Sequence, residues 1–201
     1  MAVCCGYCRA ERLLKAGTTA HPHMNNMHIA YLGLGSNLGN PQKRIATAFA
    51  EIAAAPGIVL TRHSSLYRTA PVGLVDQPHF VNAVAAIRTR LGPHELLAAL
   101  LDIERTHGRL RALPNGPRTL DLDILIYDDV QSSDSTLTLP HPRCHERAFV
   151  LLPLLEVAPD CVIPGRGYAR SWLAACRDQH AVRIADEAAV RQADGLCADA
   201  A

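Results

Sequence analysis

With 201 residues the chain has room for one domain with a proper core and loose ends beside it. Charged residues make up 19% and the formal net charge is +1, so no global field favours nucleic acid or an acidic membrane surface, and partners must be sought locally. Seven cysteines, an odd number scattered from Cys4 to Cys197, do not read as a disulfide framework and point to a reducing cytosol, while no apolar run reaches the roughly eighteen residues of a membrane span.

Residues 1–27 read as a disordered appendage in which Cys4, Cys5 and Cys8 crowd together and Arg9, Arg12 and Lys15 follow. Cys5 and Cys8 have the spacing of a zinc or redox pair, yet no second ligand pair lies near them. Residues 28–34 are almost continuously apolar, which predicts a central strand buried on both faces. The turn Gly35-Ser36-Asn37-Leu38-Gly39 then feeds a helix with Asn40 as its N-cap and Pro41 at the first position. That helix runs to about residue 55, burying Ile45, Ala48, Phe49 and Ile52, and Pro56-Gly57 stops it. A glycine-flanked loop before a helix can hold phosphate, although the lysine of a P-loop is missing.

A second strand over residues 58–67 leads into the segment 68–78, too long for a hairpin turn and therefore a candidate functional loop. The third strand, residues 80–90, places Asn82 among apolar neighbours, where its amide must either tie down that loop or read the polar edge of a ligand. Gly92-Pro93 opens a second helix to about residue 107, with Leu96, Leu97, Leu100, Leu101 and Ile103 toward the core. Glu104 sits in its last turn, where the helix dipole does not favour an acid, so a specific hydrogen bond is expected of it. Residues 109–115 read as a mobile basic flap carrying Arg109 and Arg111.

The flap delivers the chain to Gly116-Pro117-Arg118-Thr119-Leu120-Asp121-Leu122-Asp123, the most informative stretch. In a strand starting after Pro117, Asp121 and Asp123 share one face while Leu122, Ile124 and Ile126 take the other. Two acids two residues apart repel and are poor strand formers, so they are either the solvated face of an amphipathic strand or the ligands of a divalent cation. Magnesium suits the second reading, because it is held by one or two carboxylates together with substrate phosphates, and Arg118 offers those phosphates a planar fork. A short strand follows at residues 137–140, then a helix from near Cys144 with Arg147 close to its start, then a last short helix over 169–177 that packs Trp172 and Leu173. Beyond about residue 184 the Ala- and Asp-rich tail is expected to fray.

Five blocks, taken together and in this order, resemble the 6-hydroxymethyl-7,8-dihydropterin pyrophosphokinases of folate synthesis. They are Tyr31-x-x-Leu34-Gly35-Ser36-Asn37-Leu38-Gly39; Tyr67-Arg68-Thr69-x-Pro71; Asp76-Gln77-Pro78-x-Phe80-x-Asn82; the Gly116 to Asp123 stretch; and Pro140-His141 with Arg147-x-Phe149 and Pro153-Leu154. The likeness spans about residues 28–184. It implies an α+β fold of the ferredoxin-like class, a mostly antiparallel sheet with helices on both faces in three α-β-α layers.

It also implies transfer of pyrophosphate from ATP, the co-substrate, to the pterin hydroxymethyl group, releasing AMP. By the same resemblance Asp121 and Asp123 hold two Mg²⁺ ions, and Arg109 joins them and Arg118 in catalysis. Glu104, Arg109, Arg111, Arg118, Ile124, Thr138, His141 and Arg147 fall to ATP. Thr69, Ala70, Pro71, Val72, Phe80, Asn82 and Phe149 fall to the pterin, the two phenylalanines as a sandwich. Partners are then small molecules, with no nucleic acid or membrane, and a monomeric cytoplasmic enzyme is expected. Two departures stand out: Asn115 where the family often has tryptophan, in a flap one residue short, and Pro142 where a tyrosine often follows the histidine. The competing classes are a two-metal phosphodiesterase, for which the chain shows too few acids and histidines, and a non-catalytic ligand-binding domain of the same fold.

Overall fold

A computed structural model describes residues 27–71, 76–108 and 116–185. Val72, Arg109, Arg111, Asn115, the Cys5 and Cys8 pair and the tail from residue 186 lie outside the described residues.

In chain order the elements are β1 (His28–Ser36), α1 (Pro41–Ala54), β2 (Ile58–His63), β3 (Tyr67–Thr69), β4 (Phe80–Thr89), α2 (Pro93–Thr106) and β5 (Asp121–Tyr127). Then come β6 (Ser132–Ser133), β7 (Thr138–Leu139), α3 (Ala148–Val157), β8 (Val162–Ile163), β9 (Gly167–Tyr168) and β10 (Ala181–Arg183). Short 3₁₀ turns occupy Cys144–Glu146 and Ala169–Cys176. The main sheet runs β10-β3-β4-β1-β5, with β2 also on β4, and every pairing is antiparallel. The run β1-α1-β2-β4-α2-β5, with β1 between β4 and β5, is the split βαβ arrangement of the ferredoxin-like α+β class. The segment expected as one second strand is two, β2 and β3, which share β4 as a partner.

Local sequence explains the helices. Asn40 Oδ1 accepts the Lys43 amide at 3.1 Å, Pro41 takes the first turn of α1, and Ile45, Ala48, Phe49 and Ile52 form its buried stripe. α2 begins after Gly92, whose amide is held by Glu95 Oε2 at 2.7 Å, and buries Leu96, Leu100 and Ile103.

The sheet separates two apolar layers. On one face Ala30, Leu32 and Leu34 of β1 pack with α1 and α2; on the other, Val84, Ala86 and Leu125 pack with α3 residues Leu151 and Leu154. β1 is central as expected, but only one of its faces is fully buried, because Gly33 and Gly35 leave the other face open as the floor of a cleft. A β-bulge corrects a second expectation. Tyr31 pairs with Ile126 but Leu32 with Ile124, so Leu125 is the extra residue. Leu122 and Ile124 stay opposite the acids, whereas Ile126 is turned into the α3 layer.

Candidate active site

The cleft, of about 250 Å³, lies on the α3 face of the sheet. Its floor is set by register. Asn82 of β4, Gly35 of β1 and Asp121 of β5 are cross-strand neighbours in one row, and Val84, Gly33 and Asp123 form the next. Strands lie about 4.8 Å apart, so Asn82 and Asp121 are separated by about 10 Å across the glycines. A Cβ on Gly35 would stand 3.2 Å from Asn82 Oδ1, and one on Gly33 would meet Leu125 at 3.2 Å. Glycine here keeps the trough clear for something that reaches from the amide to the acids.

Both acids line the cleft, together with Arg118, which donates to Asp121 Oδ2. Arg118 is placed by Asn37, itself 2% exposed. Asn37 Oδ1 accepts the Arg118 amide at 2.8 Å, its own amide donates to Arg118 O at 3.1 Å, and its Nδ2 donates to Gln77 Oε1 and Pro78 O. The loop that the sequence offered as a phosphate cradle thus spends its polar groups stapling two other motifs together.

Phe80 and Phe149 form aromatic walls, with the Arg118 and Arg147 guanidinium carbons 5.8 and 5.5 Å from their respective ring centres. Asn82 Nδ2 donates to Thr69 Oγ1 at 2.8 Å, so the amide both ties down the β3 end and lines the cleft. Thr69 and Ala70 are in the wall as well. Arg147 caps α3 as a half-buried cation whose pKa is lowered, first by burial and then by Arg143, against the pull of Asp123 and Asp121. His141 sits on the approach to that turn, its amide on Leu125 O and its Nδ1 accepting the Arg143 amide at 3.1 Å. Burial, then the charge of Arg147, pushes its pKa down to about 4, so it is a neutral imidazole with its remaining proton on Nε2.

Five of the described residues expected at the site do not line the cleft: Glu104, Ile124, Thr138, His141 and Pro71. Glu104 is 1% exposed and accepts the Leu122 amide at 2.6 Å, which is the specific hydrogen bond anticipated and pins the acid-bearing strand. Ile124 is 3% exposed in the α1 and α2 layer, and Thr138, exposed on β7, donates to Asp134 O. Pro71 lies next to the wall residue Ala70 without lining the cleft itself. Conversely, Arg143, Glu146 and Gln179 line the cleft and were not singled out from the sequence. Gly33 and Gly35 carried a readable signal, since alternate glycines inside a strand mark a close approach.

The donor chemistry fits magnesium. Two hard carboxylates share one face at the cleft floor, and among the described residues no group of three or more His, Cys, Asp or Glu side chains could hold a metal ion. A pair of carboxylates whose remaining coordination is left to water and substrate phosphate is how proteins usually bind this ion.

The profile of the 7,8-dihydro-6-hydroxymethylpterin-pyrophosphokinase (HPPK) family matches residues 31–159. The chain belongs to this family. A relative from Methylorubrum extorquens, named 2-amino-4-hydroxy-6-hydroxymethyldihydropteridine pyrophosphokinase, is 52% identical over 68% of this chain and 86% of its own. The protein of the same name from Pseudomonas aeruginosa is 45% identical over 73% of this chain and 90% of its own. The HPPK-DHPS of Plasmodium falciparum, solved with pterin and p-hydroxybenzoate, has the same fold, with a TM-score of 0.59 at 16% identity over 76% of this chain. This chain spans 44% of that one. No described helix is long and apolar enough to cross a membrane.

Proposed function

We propose that this pyrophosphokinase transfers the terminal diphosphoryl group of ATP to the hydroxymethyl oxygen of 6-hydroxymethyl-7,8-dihydropterin. The observation that carries the reading is the layout of one cleft, lined by Phe80 and Phe149, in which Gly33 and Gly35 separate Asn82 from the paired carboxylates Asp121 and Asp123. The hydroxymethyl oxygen forms a bond to the β-phosphorus, the bond from that phosphorus to the α,β-bridging oxygen breaks, AMP departs, and the hydroxyl proton passes to solvent.

Phe80 and Phe149 stack on the two faces of the bicycle, and Asn82 reads its amide-like edge with one donor and one acceptor. Arg118 and Arg147, each above one of those rings, meet phosphate oxygens where the pterin ends. Neutral His141 adds an Nε2–H donor, with Arg109 and Arg111 as further phosphate contacts. Asp121 and Asp123 would hold two Mg²⁺ ions, which would supply positive charge to neutralise the triphosphate. Glu104 holds the strand bearing both acids, and the contact to ATP that the resemblance implies would require it to be uncovered. We assign the enzyme to the cytosol as a monomer acting on small molecules, in keeping with the buried free thiols of Cys144, Cys161 and Cys176.

The test is to incubate the protein with ATP, Mg²⁺ and the pterin alcohol and to resolve the products. AMP and diphosphorylated pterin in equal amounts are expected; ADP, or phosphodiester cleavage without transfer, would reject the reading. Asp123→Ala should lower turnover on the order of 10³-fold with an unchanged circular dichroism spectrum. Full activity in that variant would remove the metal assignment.

A further inference from the structure

We propose that Arg143 is a further phosphate-gripping residue of this cleft, a guanidinium that engages the polyphosphate beside Arg147; the inference rests on the pyrophosphokinase reading. Arg143 and Arg147 stand at the two ends of the 3₁₀ turn Cys144–Glu146, and both line the cleft with Arg118, Asp121 and Asp123.

The turn between them is fixed from several sides. Cys144 is fully buried, its amide donates to His141 O at 3.1 Å, and the Glu146 amide donates to Arg143 O at 3.2 Å. Gln179 Nε2 donates to Glu146 O at 2.8 Å, and Arg166 meets His145 Nε2 at 2.9 Å. The backbone of Arg143 is also held, its amide on His141 Nδ1.

Its guanidinium is not. Among the described residues it has no salt bridge and no hydrogen bond, although Asp121, Asp123 and Glu146 line the same cleft. Asp121 is engaged by Arg118, and Glu146 approaches His145. Arg143 instead faces another cation, since its charge acts on Arg147 and on His141. Two guanidiniums held in one cleft repel until an anion joins them. A chain of phosphates whose carboxylate neighbours are taken up by metal is the anion that the proposed reaction supplies, and an exposed side chain on a rigid turn meets it at little cost in backbone order.

The experiment compares wild type, Arg143→Gln and Arg143→Lys. Calorimetric titration with inorganic triphosphate in Mg²⁺ should show the glutamine variant weaker by about 10- to 100-fold, the loss of one charge-assisted contact, and the lysine variant between the two. Binding of the pterin alone, followed by its fluorescence, should be the same in all three, and melting temperatures should agree because Arg143 is exposed. Triphosphate affinity in Arg143→Gln within twofold of wild type overturns the inference, and so does an equal loss of pterin binding, which would mean a collapsed turn. Wild type that makes AMP and diphosphorylated pterin while Arg143→Gln matches its kcat/KM for ATP removes Arg143 alone. Wild type that binds triphosphate but transfers nothing removes the pyrophosphokinase reading and leaves the anion site.

Discussion

A buried histidine beside two arginines, Arg147 and Arg143, is a costly place for a proton, and His141 shows the consequence. With its folded pKa near 4, against an ordinary value of 6.5, the unfolded chain takes up a proton in the interval where the folded chain does not. Unfolding is therefore favoured as pH falls from about 6.5 toward 4, and above 6.5 this group adds no pH dependence. The full effect is at most about 3 kcal/mol. Urea titrations of wild type and His141→Gln between pH 4 and 8 should diverge at the acid end, the wild type losing more stability. Parallel curves would show that the imidazole is not held neutral. Asn37 supports a different experiment. Asn37→Asp keeps the acceptor for the Arg118 amide but replaces two donor bonds with a charge facing Gln77 Oε1 and Pro78 O. A loss of about 2–3 kcal/mol is expected in denaturant, with Arg118 displaced and turnover reduced.

At the scale of elements, the entry to α3 hangs on one amide from far along the chain. Gln179 Oε1 accepts the Ala148 amide at 2.9 Å and its Nε2 donates to Glu146 O, so it caps the helix from outside, between Arg147 and Phe149. Gln179→Ala should cost about 1–2 kcal/mol and raise KM for both substrates, because the phosphate and pterin walls both lean on that cap. Unchanged KM values with the stability loss present would limit Gln179 to the fold. Such a cap could not be read from sequence, since its partners lie thirty or so residues away and a lone glutamine carries no local pattern. The caps that could be read were local ones: Asn40-Pro41 for α1 and Gly92-Pro93 for α2. The acid strand was half legible. Its alternation held through Ile124 and failed at Leu125, where a bulge set by pairing with β1 turned Ile126 to the other layer. Arg143 was passed over for a similar reason, because its meaning comes from the turn that aims it and not from its neighbours in the chain.

For the molecule as a whole, one sheet serves two cores, and its strands contribute side chains alternately to each. β4 sends Ala83, Ala85 and Ile87 toward α1 and α2, and Val84 and Ala86 toward α3. Neither layer can loosen without exposing the back of the strands that the other requires, so the domain should unfold as one cooperative unit. The single tryptophan makes this testable, because Trp172 packs against the α3 layer only, 4.6 Å from the His145 ring in an edge contact, while far-ultraviolet circular dichroism reports every strand and helix. Leu32 is fully buried in the opposite layer, and Leu32→Ala should cost about 2–5 kcal/mol. If the layers are coupled through the sheet, that substitution moves the Trp172 fluorescence transition by as much as the dichroism transition. Leu151→Ala, fully buried beside α3, should give the converse pair of equal shifts. Fluorescence that stays put in Leu32→Ala while dichroism moves would mean two independently stable layers. The cleft floor would then be free to flex between them, and acids and arginines contributed by the sheet and the α3 entry would no longer keep a fixed separation.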